Sequence, residues 1–449
     1  MGAEAIMSVS GVRGIAGETF TEETVASLAY VQTKACGSGR ILIGRDTRPS
    51  GAAFLSAAAA GVAAAGGTPV DLGIVPTPTV CVAVKHVRAA GGIILTASHN
   101  PSPYNGYKMV HAQGRLYTGD ECERIYDAYR ALISDSDKPA FPTKTVPEKM
   151  DTAGAVHLER VVSAVDADRI RNAAMSVAVD SVNGAAGVLF PQLLHMLGVR
   201  WRGVHTEPDG RFAHDPEPRP EHLTDLQELL RRDPELRGGF AFDPDGDRLA
   251  LMGAGGRAVS EEYTLALALQ DVLSRKRSTV ATNLSTSMVV DDVANTYGCE
   301  VIRTKIGEAH VVEAMAANGC DIGGEGNGGV IYPRVSTVRD GLTGMALVLE
   351  LMATSGMSIT QLVAGLPAYC MRKEKLPCVS ENPRQLLRRL ASSVDAAHID
   401  HRDGVKLTFE KSWVHVRASN TEPILRCYAE AETELEAGKL VEMVREKIC

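Results

Sequence analysis

Three stretches of the chain repeat one order of apolar and polar positions: a short apolar run, a polar loop, a helical stretch, a glycine and a second apolar run. The first begins Arg40-Ile41-Leu42-Ile43-Gly44-Arg45-Asp46, passes through an alanine-rich helix and closes at Gly66-Gly67-Thr68-Pro69-Val70. The second takes in residues 175–180, a helix through Leu197 and the pair Gly198-Val199. The third takes in 279–283, a helix through Tyr297 and the run Gly298-Cys299-Glu300-Val301-Ile302. This is the grammar of βαβ units, whose parallel strands are covered by helices. Its recurrence predicts three related α/β domains with mainly parallel sheets. The polar loops follow the C-terminal ends of strands, where open α/β sheets collect ligands. The last 75 or so residues lack the plan and end in a charged amphipathic helix over 432–447, which predicts a smaller α+β domain. Linker-like composition over 138–149, 253–256 and 366–375 divides the chain into domains at 1–150, 151–254, 255–368 and 369–449.

Composition narrows the classes. A chain of 449 residues is too long for one core. Its net charge of −8 argues against non-specific nucleic-acid binding, which needs a clustered basic surface. A small anionic ligand held by local arginines stays open. The nine cysteines are scattered, and no pair has C-x-x-C spacing, so reduced thiols are expected rather than a zinc site. The N-terminus has no basic n-region or apolar h-region, and it lacks the hydroxyl residue a myristoylation site needs. The longest small-apolar stretch, 57–65, is too short to span a bilayer. The expectation is a soluble cytoplasmic protein with no membrane or nucleic-acid partner.

Four segments carry candidate chemistry. The apolar run Gly92-Ile93-Ile94-Leu95 ends in Ala97-Ser98-His99-Asn100-Pro101, and the proline forces a turn that presents Ser98. In Phe242-Asp243-Pro244-Asp245-Gly246-Asp247-Arg248, three alternating carboxylates need a cation to sit together, and hard oxygen ligands suit Mg²⁺ or Ca²⁺. An EF-hand is excluded because its sixth and twelfth positions are Arg248 and Ala254. Three aspartates leave room in the shell of Mg²⁺ for a phosphate, and a phosphorylated Ser98 would fit there. The loop Gly323-Gly324-Glu325-Gly326-Asn327-Gly328-Gly329 offers a carboxylate and an amide to hydroxyls. Finally, Arg417-Ala418-Ser419-Asn420-Thr421-Glu422-Pro423 and Arg426 combine guanidinium groups, hydroxyls and backbone N–H groups suited to phosphate.

Taken in this order, the four segments resemble the α-D-phosphohexomutase superfamily over nearly the whole chain. Ser10-Gly11-Val12-Arg13-Gly14, Gly44-Arg45-Asp46-Thr47-Arg48, Val75-Pro76-Thr77-Pro78, Asn105-Gly106-Tyr107-Lys108 and Thr304-Lys305-Ile306-Gly307 fit the family as well. The resemblance implies four domains around one cleft. It implies that Ser98 is a phosphoserine donating to a hexose phosphate, and that Asp243, Asp245 and Asp247 bind Mg²⁺ with the Ser98 phosphate. Arg13, His99, Lys108 and Arg248 would surround the transferring group, with Lys108 or His99 moving the proton. Lys305, Glu325 and Asn327 would hold the sugar, and Arg417, Ser419, Asn420, Thr421 and Arg426 the other phosphate. A hexose 1,6-bisphosphate would be both bound intermediate and activator. The chain would act as a monomer or homodimer.

The sugar loop departs from the Gly-Glu-x-Ser-Gly-His form of many bacterial members. Asn327 replaces the serine and Gly329 the histidine, so the histidine's proton-transfer role does not carry over. The Gly-Glu-Gly-Asn-Gly-Gly form resembles an archaeal-type branch. This implies conversion of glucosamine 6-phosphate to glucosamine 1-phosphate, with phosphomannomutase/phosphoglucomutase as the alternative. Two further readings are a haloacid-dehalogenase-type phosphatase or mutase using the D-x-D of Asp243 and Asp245, and a phosphosugar-binding regulator without catalysis.

Overall fold

The computed structural model describes residues 5–142, 144–377, 382–418 and 424–448. Four sheets follow one another along the chain, with seven, five, four and five strands. In the first, Arg40–Arg45 lies between Gly91–Leu95 and Thr68–Ile74, all parallel. In the second, Ser176–Asp180 lies parallel between Gly238–Phe242 and Arg200–Val204. In the third, Val280–Asn283 lies parallel between Val301–Thr304 and Ile322–Glu325. These parallel cores are the βαβ units of the sequence pattern.

Each of the three sheets is mixed, because antiparallel strands extend its core. Tyr104–His111 returns against Gly91–Leu95, Leu249–Gly253 against Gly238–Phe242, and Gly329–Ile331 against Ile322–Glu325. Each return follows one of the chemistry-bearing loops. The loops at Ser98, Asp243–Asp247 and Glu325 are therefore held at both ends by paired strands rather than by a strand and a helix.

The last sheet is wholly antiparallel, in the order Cys370–Pro377, Ile424–Ala431, Trp413–Ala418, Val405–Thr408, His398–Asp400. The helix Glu434–Ile448 packs on it. The alanine-rich helix Gly51–Ala64 packs on Glu22–Ala35, where its small side chains allow close approach. The largest apolar cluster runs from Leu158 through Phe242 and Leu267 to Leu362, so the second and third units share one core. Among the described residues, no helix is long and apolar enough to cross a membrane.

Candidate active site

Ser98 occupies the first turn after Gly91–Leu95 in a left-handed backbone conformation, φ 51°. A non-glycine residue there is strained and must be held by its surroundings. The buried Arg48 does the holding. Its guanidinium pairs with Asp46 at 2.9 Å and donates to the carbonyls of Ser98, Asn100, Pro101 and Tyr104 at 2.5–2.8 Å. Asp46 accepts from the Thr96 hydroxyl, which accepts the Ser98 N–H.

The Ser98 hydroxyl donates to Asp243 at 3.1 Å. Asp243, Asp245 and Asp247 are fully buried, and one oxygen of each lies within 4.8 Å of the others. Asp245 Oδ1 and Asp247 Oδ1 are buried without a hydrogen-bond partner. Orphaned anionic oxygens of this kind are costly unless a cation joins them. The three aspartates with the Ser98 oxygen therefore fit a hard divalent cation.

Cations close the ring. Lys108 reaches the site because its strand pairs Lys108 opposite Ile94, next to the serine turn. Its ammonium lies 2.6 Å from Asp245 and 3.3 Å from Asp247. Burial works against that charge, but Asp245 and Asp247 more than offset it and hold Lys108 protonated. Arg248 donates its backbone N–H to Asp243 and its guanidinium to His99 Nδ1 at 3.0 Å. A guanidinium only donates, so Nδ1 accepts and the His99 proton sits on Nε2. Arg248, burial and Arg13 depress the His99 pKa to about 2. Arg13, on Gly11–Ile15, donates to the Asn100 side chain at 2.9 Å. Burial and the charges of Asp245 and Asp247 push Asp243 well above the ordinary carboxylate range. Arg339, Lys108 and Arg248 hold Asp247 far below that range despite its burial.

Arg339 and Glu308 belong to this ring although no motif marks them. Arg339 donates to Asp247 and Glu325 at 2.8 Å each and lies 3.3 Å from Glu308. It thus ties the aspartate loop to the glycine-rich loop. A Cβ at Gly329 would overlap the Arg339 side chain, so the glycine makes room for the guanidinium. The one local signal is the charged pair Arg339-Asp340 ahead of the apolar helix Gly341–Ser355. Glu325 also accepts from Asn283 at 2.8 Å and from the Gly307 N–H at 3.2 Å. The Asn327 carboxamide oxygen is buried and unpartnered beside Gly329. Lys305 is exposed, two residues before Gly307.

In the last sheet Arg417 and Arg426 stand directly opposite one another, and Lys375 stands opposite Arg426 on the next strand. Like charges directly across a sheet repel, and Nε of both arginines is buried without a partner. That row suits an anion. Ser419, Asn420 and Thr421 lie outside the described residues. The fourth unit docks on the third where Ser285 meets His415 at 2.8 Å, Lys406 donates to the Leu284 carbonyl, and Asp403 accepts from the Ile306 N–H.

Comparison with known proteins agrees with this arrangement. Four models of phosphoglucomutase/phosphomannomutase match in order: alpha/beta/alpha domain I at residues 5–135, domain II at 155–256, domain III at 260–369 and the C-terminal domain at 372–447. A probable phosphoglucosamine mutase of Methanopyrus kandleri is 34% identical over 441 residues, covering 96% of this chain and 95% of its own. A phosphoglucomutase/phosphomannomutase of Thermococcus kodakarensis is also 34% identical, covering 96% of each chain. The crystal structure of a phosphoglucomutase/phosphomannomutase family protein from Burkholderia thailandensis superposes with a TM-score of 0.87 at 27% identity, covering 100% of this chain and 97% of that one. The chain belongs to the phosphoglucomutase/phosphomannomutase family. That membership sets aside the haloacid-dehalogenase reading.

Proposed function

We propose that the protein interconverts hexose 6-phosphates and 1-phosphates through a phosphorylated Ser98 and a bound hexose 1,6-bisphosphate. The observation that carries this reading is the Ser98 hydroxyl on the buried aspartate ring, 3.1 Å from Asp243 with two carboxylate oxygens unpaired. In the first step the bond from phosphorus to the Ser98 oxygen breaks and a bond to a sugar hydroxyl oxygen forms, the hydroxyl proton ending on the freed Ser98 oxygen. The bisphosphate then turns over in the cleft and returns its other phosphoryl group to Ser98. A hexose 1,6-bisphosphate from solution would charge an unphosphorylated Ser98.

Asp243, Asp245 and Asp247 would hold Mg²⁺ together with the Ser98 phosphate. Bound there, the ion supplies a Lewis acid that draws charge from the phosphoryl oxygens. The chain's own share is positioning and charge neutralisation, which carry most phosphoryl-transfer catalysis. Lys108, Arg248 and Arg13 offset the charge on the transferring group. With Lys108 held as ammonium and His99 Nδ1 taken by Arg248, both side chains act as donors in this charge state. Glu325, Asn327 and Lys305 would contact the sugar, and Arg417 and Arg426, with the 419–421 segment, the non-reacting phosphate.

Glucosamine 6-phosphate is the substrate we favour, supported by the Gly-Glu-Gly-Asn-Gly-Gly loop and by the archaeal relative named for that reaction. Mannose and glucose phosphates are the second reading, supported by the Thermococcus relative at equal identity. The four units divide near residues 150, 254 and 368. A cytoplasmic setting accords with the free cysteines among the described residues, Cys81, Cys122 and Cys427 among them.

Mass spectrometry of protein incubated with glucose 1,6-bisphosphate should find phosphate on the Ser98 peptide, and Ser98→Ala should bind hexose phosphates without turnover. Wild-type turnover by Ser98→Ala would refute the mechanism. A chain that binds hexose phosphates but never turns them over would instead be the non-catalytic regulator. A kcat/KM panel over glucosamine, mannose and glucose phosphates ranks the sugars.

A further inference from the structure

A second cluster of metal-ligating side chains stands apart from the aspartate ring. Asp180 closes the strand Ser176–Asp180, His205 follows the neighbouring strand Arg200–Val204, and His214 lies on the loop beyond. His205 Nδ1 and His214 Nε2 each lie 3.1 Å from the same oxygen, Asp180 Oδ2. These three atoms all fall within 4.8 Å of one another.

The outward-facing atoms of the three side chains have acceptors or donors of their own. His205 Nε2 lies 3.0 Å from the Asp225 carboxylate, and His214 Nδ1 lies 2.7 Å from the Asp215 carbonyl. Asp180 Oδ1 accepts the Val182 N–H at 2.8 Å. Asp180 on the inner side and Asp225 or the Asp215 carbonyl on the outer side all only accept, so a neutral ring serves one side alone, and with its proton on the outer nitrogen it turns a lone pair inward. In that state two imidazole lone pairs converge on a carboxylate oxygen, and only a cation or protons on the rings can join them. Such a set requires positive charge, and oriented imidazoles backed by carboxylate or carbonyl acceptors are the usual surroundings of a bound metal.

We propose that Asp180, His205 and His214 bind a divalent transition ion of the zinc type. Two imidazoles and one carboxylate suit Zn²⁺ better than Mg²⁺, which favours all-oxygen shells. Zinc bonds of about 2.0–2.2 Å in a tetrahedron set ligand atoms about 3.3 Å apart, close to the two 3.1 Å separations here. Both histidines keep some solvent exposure, 18% and 14% of the side chain, which leaves a fourth position for water.

The ion would fasten the 205–214 loop to the strand end. That loop places Gly210 against the Thr47 backbone and Phe212 over the Arg48 guanidinium at 5.0 Å. Arg48 is the residue beneath the Ser98 turn, so the clamp would bear on the serine loop from outside the catalytic ring.

The test uses untagged full-length protein stripped with EDTA, with millimolar Mg²⁺ present to occupy the aspartate ring. Zn²⁺ should bind once per chain with a Kd below about 1 µM, and Co²⁺ should give the visible absorption of a four-coordinate N/O site. His205→Gln and His214→Gln should each weaken binding by about 10- to 100-fold, and Asp225→Asn by about 10-fold. Asp243→Asn should leave Zn²⁺ binding unchanged. Asp225 is exposed, so its variant tests the site even if a histidine variant fails to fold. Zinc retained by every one of these variants, or absent from the wild type, would overturn the proposal. The second of those results would assign the charge in the cluster to protons on the two rings.

Discussion

Arg339 is the residue on which the two halves of the buried ring of charges meet. It has three carboxylate neighbours, Asp247, Glu325 and Glu308, and the first two are bound at 2.8 Å. Lysine offers a single point of charge and cannot span both carboxylates. Arg339→Lys should therefore lower kcat/KM by about 100-fold through misplacement of the Glu325 loop, read by steady-state kinetics. Arg339→Met leaves buried charges unpaired and should cost about 3–5 kcal/mol in urea unfolding. Gly329→His would collide with the same side chain and should destabilise by about 1–3 kcal/mol. Combining it with Arg339→Gly should relieve part of that cost, which a double-mutant cycle measures. Ser98 and the three aspartates were legible because their chemistry is written in consecutive residues after an apolar strand. Arg339 was not, because its partners lie 14, 31 and 92 positions away in the chain.

The βαβ units were legible because their apolar periods and closing glycines are local. The antiparallel returns were not, since register is decided by what the strand meets in the fold. Lys108 shows the consequence: its place in the ring follows from pairing opposite Ile94, which no pattern in 104–111 announces. The row of Lys375, Arg426 and Arg417 has the same origin, since three strands set the three charges side by side. Element ends are more local. Helix Gly119–Ser134 starts in a capping box of Thr118 and Glu121, and Arg115 forks onto Glu121 at 2.7 and 2.8 Å. Thr118→Ala should cost about 1 kcal/mol. Arg115 holds the Glu121 pKa down to about 2, below its ordinary value of 4.5. The unfolded chain thus takes up this proton first as pH falls, so the contribution is whole above pH 4.5 and lost towards pH 2. Glu121→Gln should flatten that part of the acid unfolding curve, measured by urea midpoints at pH 7 and pH 3.

Across the molecule, the fourth unit meets the third through hydrogen bonds, and Asp403 is central to them. It accepts the Ile306 N–H at 3.0 Å and lies 3.5 Å from Arg417. In our reading, phosphate at Arg417 competes with that carboxylate. Asp403→Asn keeps the acceptor for Ile306 and removes the charge, so hexose phosphate should bind up to about 5-fold more tightly by calorimetry, the worth of a partly exposed pair. The second and third units stand in a different relation, because the cluster from Leu158 to Leu362 is continuous between them. Grafting follows that difference. The fourth unit of a relative, joined near residue 369, should fold on this chain as a replaceable part. A cut near 255 would leave two fragments, each with half an interior, that regain order only by finding one another. The aspartate loop and the Glu325 loop therefore travel as one inheritable block, and recombination between relatives cannot separate Asp243, Asp245 and Asp247 from Glu325 without dividing that core.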